Sequence, residues 1–280
     1  MKRVDLHIHS SYSDSDLSIK KIFLYAKKAN LKAISITDHD TTQSFREATK
    51  LSEELNIEFI PGIEMGCEYK NEEVHILGYF VDEKSPNFRK ALKQARELRK
   101  NRLIKMARKA NLLGLKVDID RLLEKVKNGV ATRLHLAVYL FETEQIPSIK
   151  EGFRRYLSSS SPLYVGGVKF SVKEAITLIK EAGGIASLAH PHLLPHQEWI
   201  KEFTNWGLEA LEIKYPTINS QKEKSLLKLA TKFRLLPTGG SDSHGSFKDF
   251  THIGGVEVPY LWLENLKDAR TRYFLYKKNI

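Results

Sequence analysis

The sequence predicts an α/β fold in which a mainly parallel sheet alternates with helices and carries a helical insertion near its middle. Three observations lead there. Short apolar runs of strand length alternate with stretches of helical period over the first part of the chain, and again from Ser171 onward. Between residues 84 and 160 only the helical period persists. The segments joining the apolar runs are long enough to hold a helix, which parallel neighbours need.

Taken in order, Val4-Asp5-Leu6-His7-Ile8-His9 reads as a strand, and Ile19, Ile22, Phe23, Ala26 and Ala29 recur at helical spacing behind it. Residues 33–37 form a second buried strand, 45–55 a polar helix, 58–64 a third strand and 72–78 a fourth. Phe88, Leu92, Ala95, Met106 and Ala110 then mark a long helix over 88–113, with shorter helices near 121–126 and 132–141. Ser171, with Glu174 three residues on, is a capping-box start for the helix that follows. Further strands fall at 185–189, 208–213 and 235–238, the last two separated by a helix at 223–232. The expected division is a discontinuous main domain over 1–83 and 161–258, a helical insertion over 84–160, and a C-terminal extension over 259–280 packed on the main domain. Seven parallel strands fit a closed barrel or an open doubly wound sheet. The absence of a glycine-rich loop after the first strand weighs against dinucleotide-binding and Walker-type versions of the latter.

Composition bounds the function loosely. With 280 residues, 41% of them apolar, the chain can bury a real core. No apolar run reaches the ~18 residues of a membrane span, and the first strand starts too near Met1 to leave room for a signal peptide. Cys67 is the only cysteine, so no disulfide forms within the chain, and a reducing, cytoplasmic setting is expected. A formal charge of +11 suits anionic substrates or nucleic acid, but the basic residues read as scattered, with no helix-turn-helix, zinc-finger or RNA-binding aromatic motif.

Chemistry is written in the placement of histidines and carboxylates. His7 and His9, two apart on a strand, face the same way. Asp14 follows in the loop, and His39 lies just beyond the second strand. Glu64 ends the third, His75 lies in the fourth, His190 ends the fifth, and Asp242 and His244 follow the seventh. In a parallel sheet or barrel these strand ends meet on one face, where active sites are built. A lone histidine is usually structural, yet His-x-His and Asp-x-His pairs at matched ends together point to metal. Mixed imidazole and carboxylate donors suit zinc, manganese or iron better than calcium. Nine candidate ligands exceed what one tetrahedral ion uses. Asp5, Asp38 and Asp40 stand beside the candidate ligands. Asp5 is expected to accept a hydrogen bond from a ligand imidazole, and turn or cap formation competes for Asp38 and Asp40.

The runs Asp5-Leu6-His7-Ile8-His9-Ser10 with Tyr12-Ser13-Asp14, Ile36-Thr37-Asp38-His39-Asp40, Pro61-Gly62-Ile63-Glu64, His75-Ile76-Leu77-Gly78, Ala189-His190-Pro191 and Gly240-Ser241-Asp242-Ser243-His244 are similar to the motifs of the polymerase and histidinol phosphatase (PHP) superfamily. The resemblance covers residues 3 to about 256 in order. It is greatest to the stand-alone phosphoesterases with a helical insertion, which include nucleoside 3',5'-bisphosphate phosphatases and an RNA 5'-end exonuclease. It implies a distorted seven-stranded (β/α)7 barrel and two or three divalent ions, manganese, iron or zinc. The implied ligand sets are His7, His9, Glu64 and Asp242; Glu64, His75 and His190; and Asp14, His39 and His244. The first set would also be the catalytic one, around a metal-activated water.

Substrate recognition is assigned to the insertion. Arg99 and Arg102 interrupt the apolar stripe of the long helix and are placed to grip a second phosphate. Arg133 and His135 lie in Ala131-Thr132-Arg133-Leu134-His135-Leu136-Ala137, which resembles the family's Arg-Pro-His-(Ile/Val/Leu)-Ala segment with Leu134 in place of proline. That match implies contact of His135 with a substrate phosphate. The expected substrate is a small phosphorylated nucleotide, best a nucleoside 3',5'-bisphosphate, with no membrane partner. Alternatives are short RNA or DNA oligonucleotides cut from the 5' end, histidinol phosphate, or a metal-stabilised binding module without turnover.

Overall fold

The computed structural model describes residues 2–126, 129–158, 160–166, 170–248 and 251–278, with the side chains of 273, 274 and 276–278 outside it. The chain runs β1 (Arg3–Ile8), α1 (Ile19–Lys28), β2 (Leu31–Ile36), α2 (Phe45–Leu55), β3 (Glu58–Tyr69) and β4 (Glu72–Tyr79). Helices α3 (Pro86–Leu112), α4 (Ile119–Glu124), α5 (Arg133–Glu142) and α6 (Ile149–Gly152) follow. The α/β alternation returns with β5 (Phe170–Ser171), α7 (Val172–Glu181), β6 (Ile185–Leu188), α8 (Trp199–Asn205), β7 (Ala210–Lys214), α9 (Ser220–Phe233) and β8 (Leu236–Gly239). The short β9 (Val258–Pro259) and α10 (Tyr260–Lys278) complete it.

Local chemistry starts and stops these elements where physical rules place the ends. The Ser18 hydroxyl accepts from the Lys21 N–H at the start of α1. Ser171 and Glu174 exchange both capping-box bonds at α7. Asn56, at φ +54, closes α2 in the left-handed conformation that asparagine tolerates.

The sheet order is β8-β7-β6-β4-β3-β2-β1-β9, with β5 beside β3. β1, β2 and β3 are parallel, as are β6, β7 and β8. β4 departs from the all-parallel expectation, lying antiparallel to both β3 and β6. The reason is the turn. Tyr69 pairs with Glu72, leaving Lys70 and Asn71 as a two-residue loop. Their φ values of +51 and +66 are those of a type I′ hairpin, which leaves no room for a crossover. The strand count also exceeds seven, because the two-residue strands β5 and β9 join the sheet.

The sheet curls into a nearly closed barrel. Beyond β8 the chain returns to the upper end of β1: the Asp242 N–H donates to the His7 carbonyl at 2.7 Å, and the His9 N–H to the Ser243 carbonyl at 3.0 Å. Gly240 makes this approach possible, since a Cβ there would stand 2.4 Å from the His7 nitrogen. The lower end of β1 is covered by β9, running antiparallel. Between sheet and helices, Ile34 packs with Ile22 and Phe23 of α1, and Ile63 and Leu188 pack with Ile176 and Ile179 of α7, while Leu6 and Leu77 belong to a third buried cluster. Helices α3 to α6 share a separate apolar cluster that includes Leu103, Met106, Leu122, Leu136 and Leu140. Among the described residues no helix is long and apolar enough to cross a membrane.

Candidate metal centre and substrate cavity

The ends of the barrel strands deliver eight buried or half-buried donors around one carboxylate, Glu64 of β3. Its Oε2 lies 3.2 Å from Nε2 of His7, 3.0 Å from Nε2 of His9 and 3.4 Å from Nδ1 of His39. Its Oε1 lies 2.7 Å from Nδ1 of His75 and 3.2 Å from Nε2 of His190. Asp242 Oδ1 stands 3.1 Å from His9, 3.4 Å from His7 and 3.4 Å from His244. Asp14 approaches His244 at 3.4 Å and His39 at 3.7 Å.

Three groups in this cluster could each hold an ion: His7, His9, Glu64 and Asp242; His9, Asp14, His39 and His244; and His39, Glu64 and His75. The first coincides with the set implied by sequence resemblance. In the other two, His9 and His39 are shared between neighbouring groups, because their rings lie between Asp14 and Glu64. His190 falls in none of the three, although it reaches the same Glu64 oxygen as His75.

Divalent ions fit this donor set. Nε2 of His7 and Nε2 of His9 are only 3.3 Å apart, so a proton or a cation must lie between their lone pairs. Asp14 Oδ1 and His39 Nδ1 are buried without a hydrogen-bond partner, a state that is costly unless a cation completes it. The ionisation pattern agrees. Burial opposes charge on Glu64, but the nearby His39, His75 and His7 hold its carboxyl well below the usual range. Burial also opposes charge on His7, and Glu212, Glu64 and Asp242 together override it and raise its pKa well above 6.5. Mixed imidazole and carboxylate shells of this kind suit manganese, iron or zinc.

Backbone geometry aims several of these side chains. His190 and Asp242 have φ of +31 and +49, conformations that residues with a Cβ rarely adopt. Hydrogen bonds hold both in place: Glu212 accepts from the His190 N–H at 2.6 Å, and the Asp242 N–H is part of the barrel closure.

The three aspartates next to the cluster divide their work differently from expectation. Asp5 does not touch an imidazole. It accepts from the backbone N–H groups of Ser241 and Gly254, both at 2.9 Å, and so ties the closing loop to β1. Asp38 accepts from the Ser10 N–H and from the Ser10 and Ser13 hydroxyls, fixing the loop that carries Asp14. Neither Asp38 nor Asp40 caps a helix; Asp40 accepts from the Gly66 N–H and from Nε of Arg99 at 2.5 Å.

The carboxylate that orients His7 was not foreseen. Glu212, fully buried on β7, sits 2.9 Å from His7 Nδ1. Its signal was a single acid inside the apolar run Leu211-Glu212-Ile213. Tyr215 and Lys248, which both donate to Asp242 Oδ2 at 2.8 Å, were also missed, and only the fold brings them there. Glu73 was missed as well: it links His75 Nε2 at 3.2 Å to Arg133 at 2.7 Å.

A cavity of about 620 Å³ opens from the cluster, with Asp14, His39, His75 and His244 on its floor. Arg99, Arg102, Arg133 and Lys248 line it, facing an apolar wall that includes Leu134, Phe141 and Phe153. Arg99 is committed to Asp40, and its guanidinium packs where a Gly66 Cβ would stand. Arg102 donates through Nε to the Val165 carbonyl at 2.6 Å and stacks over Tyr164, while its NH2 is buried without a partner. Arg133 bridges Glu73 and the Leu157 carbonyl. His135 is not among the lining residues. Its Nδ1 accepts from the Thr132 N–H at 3.2 Å, so it caps α5 in the place a Glu or Gln usually takes.

A curled α/β sheet with a buried imidazole and carboxylate cluster at one end of its strands is the architecture of a metal-dependent hydrolase. The chain belongs to the PHP domain family, which matches residues 5–177. It is 29% identical to a 5'-3' exoribonuclease of Haemophilus influenzae, over 87% of this chain and 90% of that one. It is 27% identical to a phosphoribosyl 1,2-cyclic phosphate 1,2-diphosphodiesterase of Eggerthella lenta (89% and 97% covered). A 3',5'-nucleoside bisphosphate phosphatase of Chromobacterium violaceum is also 27% identical, with 92% of each chain covered. A Bifidobacterium adolescentis crystal structure assigned as a metal-dependent phosphoesterase superposes with a TM-score of 0.88 at 26% identity, covering 95% of both chains. The chain is thus a metal-dependent phosphoesterase, and its relatives act on nucleotides, cyclic phosphates or RNA.

Proposed function

We propose that this enzyme removes the 3'-phosphate from nucleoside 3',5'-bisphosphates in the cytoplasm, with residues 84–160 serving as the cap that recognises the substrate. The observation that carries this reading is the sharing of one cavity by the ligand cluster and the arginines. About 620 Å³ suits a mononucleotide. One phosphate would meet the cluster, the second would meet Arg102 and Arg133, and the base would lie on the apolar wall near Phe141 and Phe153. The Chromobacterium relative's name matches this division.

His7, His9, Glu64 and Asp242 would hold one divalent ion, with Asp14, His39, His75, His190 and His244 completing sites for one or two more. Such ions supply Lewis acidity toward phosphoryl oxygens and toward water. The protein's own contribution is orientation. Glu212 accepts from Nδ1–H of His7 and so turns its Nε2 toward Glu64 and Asp242. Lys248 and Tyr215 hold the second Asp242 oxygen and leave Oδ1 facing the cluster. Arg102, with one nitrogen unsatisfied, is the group best prepared to donate to a phosphate.

A second reading, stepwise hydrolysis of short RNA from its 5' end, is favoured by the Haemophilus relative. Turnover of adenosine 3',5'-bisphosphate, 5'-phosphorylated RNA and histidinol phosphate, each under manganese, iron and zinc, separates the readings. The bisphosphate should have the highest kcat/KM. A higher value on RNA would replace the first reading by the second.

A further inference from the structure

The basic charge of the chain is concentrated, contrary to the scatter read from sequence. Helix α3 contains ten Lys or Arg residues and a single acid, Glu97, giving it a net +9 against +11 for the whole chain. Arg99 and Arg102 face inward to the cavity. Arg89, Lys93, Arg96 and Lys100 recur every three or four residues and therefore share another face. Arg89, Lys93 and Lys100 are exposed and Arg96 is half-buried, and among the described residues none of the four is ion-paired.

This face borders two shallow grooves. One runs between α3 and Thr42, past Arg89, Lys93 and Arg96; the other passes Gln43, Arg96, Lys100 and Ala131. Arg96 is common to both. The second groove lies one step from the catalytic cavity, since Ala131 precedes Thr132 on the cavity wall and Lys100 follows Arg99. Four cations held over the twelve residues from Arg89 to Lys100 span roughly 16 Å of helix. Glu83 and Glu97 are the only acids among the residues lining the two grooves, so the row keeps an excess of positive charge that suits a polyanion.

We propose that the outward face of α3 is a docking track for the backbone of single-stranded nucleic acid, outside the catalytic cavity and leading to it. The proposal rests on the reading of the enzyme as a nucleotide phosphoesterase. It adds that strands longer than the cavity are held by Arg89, Lys93, Arg96 and Lys100. Contacts of this kind are to phosphates and independent of base sequence.

Two measurements on the full-length protein test it. The first is fluorescence polarisation with a labelled oligouridylate of roughly eight nucleotides, lacking a 5'-phosphate so that the track is read apart from turnover. The triple variant Lys93→Glu/Arg96→Glu/Lys100→Glu should weaken binding at least tenfold. The neutral version, Lys93→Gln/Arg96→Gln/Lys100→Gln, should lower the salt dependence of log Kd by about 0.7 for each cation removed. The second is turnover of adenosine 3',5'-bisphosphate, which should stay within twofold in both variants. Unchanged oligonucleotide affinity in both variants, or no binding by the wild type at low salt, overturns the track. Bisphosphate turnover that survives either result leaves the phosphoesterase reading standing.

Discussion

Glu212 grips His7 from inside the barrel: one carboxylate oxygen stands 2.9 Å from the imidazole Nδ1, and both side chains are fully buried. A histidine held this way presents a single nitrogen to the cluster and cannot rotate away from it. Glu212→Gln keeps the shape and removes the charge. We expect the affinity for manganese to fall by about 10- to 100-fold, with kcat largely recovered at saturating metal. Titration of the chelator-treated protein by calorimetry checks this, and an unchanged Kd would show that Glu212 only fills space.

The ion-free protein should have a bell-shaped stability profile. Burial depresses the His9 pKa, but its hydrogen bonds to Asp242 and Glu64 and the charges of Glu64 and Asp14 outweigh burial and raise it to about 9. The stability from that proton is complete below about 6.5 and lost as pH rises through 9, on the order of 3 kcal/mol. His244 behaves oppositely: burial, with the charges of Lys248 and His9, lowers it to about 3. Its contribution is complete above about 6.5 and lost as pH falls toward 3. Thermal unfolding after chelation should therefore peak near neutrality, and manganese should abolish the alkaline decline by replacing the proton. An ion-free Tm that stays flat from neutrality to pH 9 would contradict the pairing at His9.

Recognition of the second phosphate should be separable from chemistry. Arg102→Ala should raise KM for adenosine 3',5'-bisphosphate by about 10- to 100-fold, as expected for loss of a charged hydrogen bond. An aryl phosphate, lacking the second group, should be affected far less. Equal effects on both substrates would assign Arg102 to the fold, through its bond to Val165.

Direct attack by water on phosphorus places solvent oxygen in the released phosphate. Turnover in ¹⁸O-labelled water, read by mass spectrometry, should show the label there. Label in the alcohol would mean C–O cleavage and would remove the mechanism proposed for the cluster.

Much of the candidate cluster was legible because its histidines and carboxylates follow strand geometry. His7 at the end of β1 and His9 just beyond it turn to the same side by the two-residue period, and the same reasoning pointed to Glu64, His190 and the Asp242–His244 pair. What sequence could not show depends on contacts across the barrel. Glu212 lies far along the chain from His7 and looks like any acid in a strand. Asp5 is near His7 in sequence, yet its carboxylate turns to the backbone of Ser241 and Gly254 because barrel closure leaves those N–H groups unpaired. The antiparallel β4 was hidden for another reason. Lys70-Asn71 lacks the glycine that usually announces a type I′ turn, and the flanking strands are apolar enough to read as parallel. The basic face of α3 was visible only as composition until the helix separated its inward arginines from its outward ones.

The most direct test of the account is phosphate release from adenosine 3',5'-bisphosphate measured against the number of manganese ions bound per chain. The protein should be inactive when stripped, gain activity as Glu64 and its histidines fill, and reach its plateau at two or three ions. Full activity with no ion bound, or none at saturation, would contradict it.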